Sequence, residues 1–407
     1  MQVYKDLRIL SARPDKFAEN DVDHKLYGYI SGKHRCSALM WSERAILEIN
    51  LALKKKVVPI FFQKKLSFMT KLKIAAMGVE HRHIFGQLEG MLNLDCEFVG
   101  WWTENDNRIS KDLEKKFPEI KREKDKNTLL NNNEIDLILI ADIPAKRADL
   151  AIDCMNAGKD VMLDKPGCIS LEQLQKIKNT IDKTKQIYSI DFSERFEVPS
   201  VEMAVKLIKK GEIGKVVQTI GLGPHRLNID TRPEWFFDDE LNGGILCDIA
   251  SHQIDQFLFF TESNSAEIIS SSIGNFSNPN KTKMQDFGEI LIHGDQGQGY
   301  IRVDWYTPDA LPNWGDGRLT ILGTEGYIEL RKYVDIAGRK GTDHLFLVNK
   351  NRYEYIDASN QPLSYFRNLM YDVLNRTEIA MKQDHCLEVM RLAIVAQNSA
   401  KRLGNLS

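Results

Sequence analysis

A chain of 407 residues exceeds the length that one hydrophobic core usually serves, so the sequence predicts two or three domains. Its 43% hydrophobic and 28% charged residues are typical of a globular protein, and a net charge of −2 gives no basis for binding nucleic acid or an anionic membrane. No apolar run is long enough to span a membrane, no secretory leader is recognisable, and the six cysteines lack CxxC spacing, so we expect a cytoplasmic protein with reduced thiols.

The first 70 residues differ from the rest of the chain. They carry thirteen Lys and Arg against seven Asp and Glu, a net charge of +6. Apolar residues between Ala38 and Leu53 follow helical spacing, and Val57 to Phe62 has the composition of a strand. No motif is recognisable here. Residues 1–70 are therefore an extension of unknown role, either a small accessory domain or a stretch ahead of a true start at Met69.

From Leu72 onward, short apolar segments alternate with polar segments of helical pattern. The predicted strands are Leu72 to Met77, Cys96 to Trp102, Ile135 to Ala141, Val161 to Leu163 and Ile187 to Phe192. The predicted helices begin near His83, Arg108, Ala145 and Leu171, the last with Ser170 as its N-cap. This alternation predicts an α/β fold with a doubly wound, Rossmann-type parallel sheet over residues 71–193.

After Arg195 and Phe196 the pattern changes to an α+β one. A helix from Val201 to Lys210 precedes segments rich in β-branched and aromatic residues, which Gly and Asn-Pro turns separate. The predicted strands are Val216 to Gly221, Ile268 to Ile273, Phe287 to His293, Gly299 to Trp305, Leu319 to Leu322 and Tyr327 to Leu330; the helical tail covers Leu363 to Arg376 and Cys386 to Leu403. We expect residues 194–407 to form a second domain with a mostly antiparallel open sheet.

The segment from Gly243 to Asp255 carries the clearest site pattern. It reads as a helix that follows a glycine pair, and Asp248 and His252 lie four residues apart on one face. Asp255 is expected on the same face. A polar helix surface in water is the alternative, but the glycine pair and the apolar residues around it favour a cleft.

A second site pattern is Asp164-Lys165-Pro166, directly after a buried strand. Open α/β sheets bind ligands at the carboxyl ends of their strands, so Lys165 is well placed to meet one. Taken alone, Lys165 also fits a solvated loop. Together with Asp248 and His252 it forms a set of groups that is suited to proton transfer.

The turn after the first strand is a weak signal for dinucleotide binding. At the positions of the GxGxxG fingerprint lie Ala76, Gly78 and His81, so only the middle glycine is present. Thr103 stands where an acid usually binds the ribose hydroxyls, which leaves the choice between NAD and NADP open. His81 and His83 suggest a metal, but no third ligand follows at a recognisable spacing, so we expect no metal site.

These motifs together resemble the glucose–fructose oxidoreductase / inositol dehydrogenase / MocA (GFO/IDH/MocA) family. The resemblance covers roughly residues 71–405, and its most specific part is Gly-Gly-x-x-x-Asp-x-x-x-His-x-x-Asp at 243–255. Asp164-Lys165-Pro166 is similar to the family's Glu-Lys-Pro. The resemblance implies an NAD- or NADP-dependent enzyme that transfers a hydride at a carbinol carbon of a sugar, sugar derivative or cyclitol.

The resemblance also implies roles for individual residues. His252 would take the hydroxyl proton, Asp248 would orient substrate or imidazole, and Lys165 would stabilise the developing alkoxide. The implied cofactor contacts are Ala76, Gly78, His81, Thr103, Ala141, Asp142, Asp164 and Lys165. The implied substrate contacts are Arg195, His225, Arg226, Arg232 and Asp255, of which the segments 224–226 and 232–235 would form a loop over the substrate. The expected assembly is a homo-oligomer, a dimer or tetramer, through the C-terminal sheet.

Three departures from the family pattern affect the cofactor pocket: the incomplete glycine fingerprint, Thr103, and Asp142-Ile143 in place of Thr-Pro. Two other functions therefore stay open. One is a redox-neutral glycosidase or epimerase that keeps its nicotinamide bound, and the other is a non-catalytic sensor of a dinucleotide or sugar. Stoichiometric NAD(P)H production from a polyol separates the dehydrogenase from both.

Overall fold

The computed structural model describes residues 71–404, so the predicted helix at Ala38 to Leu53 and strand at Val57 to Phe62 lie outside the described residues. The first sheet has five parallel strands in the order β2-β1-β3-β4-β5. These are β1 (Leu72–Val79), β2 (Cys96–Trp102), β3 (Leu137–Ala141), β4 (Asp160–Asp164) and β5 (Tyr188–Asp191). The helices between them are α1 (Ile84–Leu92), α2 (Arg108–Lys116), α3 (Lys126–Leu130), α4 (Pro144–Asn156) and α5 (Leu171–Thr184).

Local sequence explains where these elements lie. Every residue of β3 and β4 is buried, as expected for parallel strands that are covered on both faces. The predicted cap of α5 is confirmed, because the Ser170 side chain accepts a hydrogen bond from the Gln173 N–H. The strand order reverses between β1 and β3, and at such a switch point the loops beyond two neighbouring strands diverge and leave a crevice. Gly78 and Asp142 lie at this point.

The chain then enters a nine-stranded sheet through α6 (Ser193–Phe196) and α7 (Pro199–Lys209). The strands are β6 (Val216–Pro224), β7 (Ala266–Gly274), β8 (Phe287–Gly294), β9 (Gln298–Asp304), β10 (Arg318–Gly323), β11 (Gly326–Arg331), β12 (His344–Asn349), β13 (Tyr353–Asp357) and β14 (Lys401–Arg402). Their order is β13-β12-β11-β10-β6-β9-β8-β7-β14, and only the β6–β9 and β7–β14 pairs are parallel. The prediction of a mostly antiparallel sheet is confirmed.

The remaining helices are α8 (Asp239–Asn242), α9 (Gly244–Asp248), α10 (Ala250–Thr261), α11 (Tyr365–Asn375) and α12 (Gln383–Ser399). Helices α9, α10 and α12 pack on one face of the nine-stranded sheet, while the other face exposes Ile269, Leu291, Leu322 and Tyr327. Helix α12 also contacts β5 and α5 of the first sheet. One hydrophobic core therefore joins both sheets across the predicted boundary at residues 193 and 194.

Some predicted details were wrong. The segment 243–255 is two helices that meet at Ile249, not one. Strands β12 and β13 and the short helix α3 were not predicted, and the C-terminal helix ends at Ser399, before β14. In the described part of the chain, no helix combines the length and apolar character needed to cross a bilayer.

Candidate active site

The centre of the candidate site is an ion pair between the two sheets. Lys165 Nζ lies 2.7 Å from Asp248 Oδ1, and the lysine is only 5% exposed. Lys165 follows β4, whereas Asp248 ends α9. Burial alone would raise the pKa of Asp248, but the adjacent Lys165 outweighs it and lowers that pKa, so the carboxylate stays charged. Two residues that the sequence placed in one site are thus in direct contact.

The turn that presents Lys165 is held by Arg147, a buried residue of α4. Arg147 Nη1 donates to the backbone oxygens of Asp164 and Pro166 at 2.9 and 3.0 Å, and Nη2 donates to the Asp164 carboxylate at 2.8 Å. A guanidinium is the side chain whose fixed fork of donors can serve carbonyls and a carboxylate together. Arg147 therefore fixes the position of Lys165 by fixing the backbone before and after it.

His81 and His83 meet the same carboxylate. His81 Nδ1 lies 2.9 Å from Asp164 Oδ2, and His83 Nδ1 lies 2.7 Å from Asp164 Oδ1. The ligand atoms of these three residues lie within 4.8 Å of one another, so Asp164 is the third group that sequence spacing could not identify. His83 and Arg147 hydrogen-bond this carboxylate, whereas His81 Nδ1, although 2.9 Å away, is a buried atom without a hydrogen bond.

His252 lies in α10, one turn beyond Asp248, and is 2% exposed. Burial lowers the pKa of His252 to about 3, which makes the ring neutral at pH 7. The Phe192 ring packs against it edge-on, 6.2 Å away between ring centres. Glu194, Lys165, His225 and His83 are the charged and titratable groups that act on the pKa of His252, so its ring lies near Lys165.

The predicted substrate loop contains one arginine that faces the pocket and one that does not. Arg226 donates to the backbone oxygens of Pro308 and Leu311 at 2.8 and 2.6 Å, so it holds the loop. Arg232 packs its guanidinium over the rings of Phe236 and Trp305, 4.4 and 5.0 Å from their centres. Burial lowers the pKa of Arg232, and Asp248 acts against this, so Arg232 lies near the ion pair.

His225 is the other residue of this loop at the pocket. Its Nδ1 lies 3.1 Å from the Gly223 carbonyl oxygen, and its ring lies against Trp305 and Trp314. Burial lowers the pKa of His225 to about 4. His225 is therefore a neutral ring at the edge of the site at pH 7.

Arg195 and Asp255, both predicted to contact substrate, instead contact each other. Arg195 Nε and Nη2 donate to the two Asp255 carboxylate oxygens at 2.6 and 2.7 Å, and His385 Nε2 lies 2.8 Å from Asp255 Oδ1. Both side chains are buried. The sequence predicted that Asp255 faces a cleft together with Asp248 and His252, whereas in the structure its carboxylate is paired with Arg195, which ties α10 to α6.

The turn after β1 is where the predicted dinucleotide would approach. Gly78 has a φ of +68°, and a Cβ atom there would lie 2.5 Å from the Asp142 side chain, so only glycine fits. Ala76 is buried in β1, and the N–H groups of Glu80 and His81 both donate to the Ala141 oxygen, at 3.0 and 2.8 Å. Helix α1 then begins without a side-chain cap.

This turn fits a phosphate through Gly78 and the start of α1 rather than through a full glycine fingerprint, because the Glu80 and His81 donors are already used. At the end of β2, Thr103 is buried and its Oγ1 accepts from the Val79 N–H at 3.1 Å. Asp142 is largely buried, which raises its pKa. The edge formed by β1, β2 and β3 can thus hold a dinucleotide with few charged contacts.

Sequence reasoning missed Arg147, Glu194 and Lys332, all of which are buried beside the site. Glu194 is bound by Lys332, which lies 138 positions later in the chain. A charged residue within an apolar helix face was the only available signal for Arg147. No local pattern connects Glu194 with Lys332, because only folding brings them together.

Two family profiles match the main part of this chain: "Oxidoreductase family, NAD-binding Rossmann fold" over residues 82–192 and "GFO/IDH/MocA C-terminal domain" over residues 201–329. A crystal structure described as an oxidoreductase from Erwinia carotovora atroseptica SCRI1043 is 39% identical, with a TM-score of 0.80 over 82% of this chain and 100% of that chain. The scyllo-inositol 2-dehydrogenase (NAD(+)) of Bacillus subtilis (strain 168) is 27% identical over 224 residues. This alignment covers 53% of the present chain and 61% of that enzyme.

Two more distant structures share the fold and bind different cofactors. An Agrobacterium radiobacter oxidoreductase in complex with NAD+, L-tartaric acid and magnesium is 17% identical, with a TM-score of 0.67 over 81% of this chain and 96% of that one. KijD10, a 3-ketoreductase from Actinomadura kijaniata in complex with NADP and TDP-benzene, is 14% identical. Its TM-score is 0.65 over 82% of this chain and 99% of that one. The fold therefore accepts either nucleotide.

The N-terminal segment is similar to a different enzyme. Residues 2–62 match the profile "IPP transferase", and the tRNA dimethylallyltransferase of Nitrobacter hamburgensis (strain DSM 10229 / NCIMB 13809 / X14) is 46% identical over 61 residues. These residues are 15% of this chain and 19% of that enzyme. So short a match shows similarity of this segment and assigns no activity to it.

Proposed function

The chain belongs to the GFO/IDH/MocA family of oxidoreductases, and from this premise we propose that it transfers a hydride between NAD or NADP and a carbinol carbon of a sugar, sugar derivative or cyclitol. The observation that carries the proposal is the buried contact of Lys165 with Asp248, 2.7 Å, beside the neutral ring of His252. These groups lie beyond the carboxyl end of β4, where α/β sheets bind ligands.

The cofactor would lie along the carboxyl edge of the first sheet. Gly78 and the start of α1 would face its phosphates, Thr103 its ribose, and Asp164 with Lys165 its nicotinamide end, and Ala141 and Asp142 would line the same crevice. NAD(P), when bound, supplies the hydride acceptor or donor. The protein contributes the position of the substrate and the movement of one proton.

His252 acts as the general base. Because burial keeps the pKa of His252 low, its ring is neutral at pH 7 and can accept the proton of a substrate hydroxyl. Lys165 is a charged donor that is only 5% exposed, so it stabilises the alkoxide that forms as that proton leaves. Asp248 holds Lys165 in place and provides an acceptor for a second hydroxyl group.

Arg232 is the residue that we assign to substrate recognition. Its guanidinium lies on two aromatic rings close to Asp248, and its nearest hydrogen-bond acceptors are backbone oxygens of Leu227 and Arg226, at 2.9 and 3.4 Å. No carboxylate of residues 71–404 pairs with Arg232, so its guanidinium can bind a carboxylate or a pair of hydroxyl groups of the substrate. His225, with the neighbouring Trp305 and Trp314, would contact the opposite side of the substrate's sugar or cyclitol ring.

We also propose a cytoplasmic homo-oligomer, a dimer or tetramer. The uncovered face of the nine-stranded sheet exposes the apolar side chains of Ile269, Leu291, Leu322 and Tyr327, and association with a second copy would cover them. Within residues 71–404 the cysteines are buried and free, which supports a reducing compartment.

A substrate screen tests the proposal. The full chain is incubated with polyols, sugars and sugar acids in the presence of NAD or NADP, and nicotinamide absorbance is read. We expect stoichiometric NAD(P)H formation with at least one polyol, and His252→Ala should lower turnover by about two orders of magnitude or more while cofactor affinity stays unchanged. Conversion without net nicotinamide reduction, or binding without turnover, would contradict the proposal and favour a redox-neutral enzyme or a sensor.

A further inference from the structure

Glu194 forms a buried ion pair that is linked to Gln253, the residue that follows the candidate base His252. It lies in α6, immediately after the first sheet, and Lys332 follows β11 of the second sheet. Lys332 Nζ lies 2.7 Å from Glu194 Oε2, and Gln253 Nε2 donates to the same oxygen at 3.0 Å. Glu194 is 2% exposed and Lys332 is fully buried. Two donors thus fix one oxygen of this carboxylate.

The other oxygen of Glu194 has no partner. Among the described residues, Glu194 Oε1 and His252 Nδ1 are both buried polar atoms without a hydrogen bond. A buried acceptor left without a donor costs roughly 1–3 kcal/mol, so each such atom requires a physical explanation, and a catalytic role is one of the known explanations. One atom is an acceptor, and the other is a ring nitrogen that can carry a hydrogen.

The charges around His252 favour Glu194 as its partner. Among the charged groups that act on the pKa of His252, Glu194 has the largest effect and raises it, whereas Lys165, His225 and His83 lower it. The two carboxylates nearest to His252 in sequence already have partners. Asp255 is bound by Arg195 and His385, and Asp248 is bound by Lys165. Burial would raise the pKa of Glu194, but Lys332 and the two nearby histidines outweigh burial and keep it ionised.

We propose that Glu194 is the positioning residue of His252, accepting the hydrogen of Nδ1 and balancing the positive charge of the ring, with Lys332 and Gln253 holding its second oxygen. This inference rests on the proposed function. The substrate hydroxyl proton passes to Nε2 of His252, the hydrogen on Nδ1 stays on the ring, and Glu194 remains a carboxylate throughout. The arrangement also fixes the tautomer, because a hydrogen on Nδ1 leaves the Nε2 lone pair free to act as base.

Glu194→Gln in the full chain tests this role, because it removes the charge and keeps the shape. With the substrate found in the screen, we expect the acid limb of kcat/KM to move to lower pH and the plateau to fall about 10–100-fold, with the KM for the nucleotide unchanged. Glu194→Asp keeps the charge, so the acid limb should stay in place while the plateau falls. If Glu194→Gln does not fold, Glu194→Asp alone tests the proposal. An acid limb of kcat/KM that moves in Glu194→Asp would overturn it.

Asp160→Asn is the matched control. Asp160 is also a buried carboxylate in an ion pair, with Arg376 Nη2 at 3.1 Å from Oδ1, but it begins β4 at the opposite edge of the sheet. We expect this variant to lower the melting temperature and leave the pH profile unchanged. A Glu194→Gln enzyme that behaves like Asp160→Asn would reduce Glu194 to a structural residue.

The ring nitrogens of His252 give a readout that needs no turnover. The ¹⁵N resonances of the ring, assigned through their loss in His252→Ala, should show hydrogen on Nδ1 in the native protein and a weaker hydrogen bond in Glu194→Gln. Identical spectra would overturn the proposal even if no substrate is found. An active native enzyme with an unchanged profile in Glu194→Gln would overturn it and leave the proposed function intact.

Discussion

Lys165 Nζ and Asp248 Oδ1 lie 2.7 Å apart although the two residues are 83 positions apart in the sequence. The contact joins the end of β4 to the end of α9, so it couples the two sheets at the candidate site. An ion pair in this position can stay charged only because each partner compensates the burial of the other.

Lys165→Met is expected to lower turnover at least a hundredfold, because it removes the donor that stabilises the alkoxide. The methionine keeps most of the side-chain volume, so nucleotide affinity should change little. Steady-state rates with the screened substrate measure the effect. Lys176→Met, on the exposed surface of α5, is the matched control and should behave as the native enzyme. Near-native turnover in Lys165→Met would refute the assignment.

Arg147→Met is expected to destabilise the protein by about 3–5 kcal/mol, since it leaves the buried Asp164 carboxylate without its guanidinium partner. The double variant Arg147→Met with Asp164→Leu should recover part of this loss, because no unpaired charge remains. Urea unfolding of the native chain and the two variants measures the free energies. A loss below about 1 kcal/mol in Arg147→Met would show that the turn does not depend on Arg147.

The protein is expected to lose stability as the pH falls from 6.5 to 4. Burial lowers the pKa of His252 to about 3, while an unfolded imidazole titrates near 6.5, so the unfolded chain binds more protons in this window. The contribution of His252 to the free energy of unfolding is complete above pH 6.5 and decreases below it. At pH 5.5 the loss is about 1.4 kcal/mol. His252→Gln should remove this part of the difference between unfolding free energies at pH 7.5 and 5.5. An unaltered difference would contradict the prediction.

Thr103 is expected to influence cofactor choice. We predict that the native chain binds both NAD and NADP, and that Thr103→Asp shifts the preference towards NAD by repelling a 2′-phosphate. Aspartate can still accept the hydrogen bond from the Val79 N–H, so the turn should persist. Thr103→Ser, which keeps the hydroxyl, serves as the control. The measurement is the dissociation constant for each nucleotide. An unchanged ratio of the NAD and NADP constants in Thr103→Asp would show that Thr103 does not contact the ribose.

A shortened chain that starts at Met69 is expected to fold and to bind nucleotide like the full chain. The reason is that residues 71–404 already bury a hydrophobic core that joins both sheets. The alternative is that Leu39, Ile46, Ile49 and Leu53 pack on the main body, in which case their removal would expose apolar surface at about 25 cal/mol per Å². Thermal unfolding of both chains distinguishes these cases. Insolubility, or a melting temperature lower by more than about 5 °C, would make the segment structural.

Local sequence determined the secondary structure of the first sheet closely. Cys96 to Trp102 forms a strand as predicted, and Ser170 caps α5, because burial patterns and caps depend on neighbours within a few residues. The motif at 243–255 and the Lys165 turn also identified the family and the candidate catalytic set. Strand β13 was missed because it lies at the sheet edge, where alternate residues remain exposed.

Only the tertiary structure decided which charged residues meet. Arg195 and Asp255 pair with each other rather than face a substrate, and Asp164 joins His81 and His83 from 81 and more positions away. Sequence periodicity describes which face of an element a residue occupies, but it carries no information about what another element places opposite that face. The partners of a buried charge are set by the packing of distant segments, and the energy of burying that charge depends on those partners.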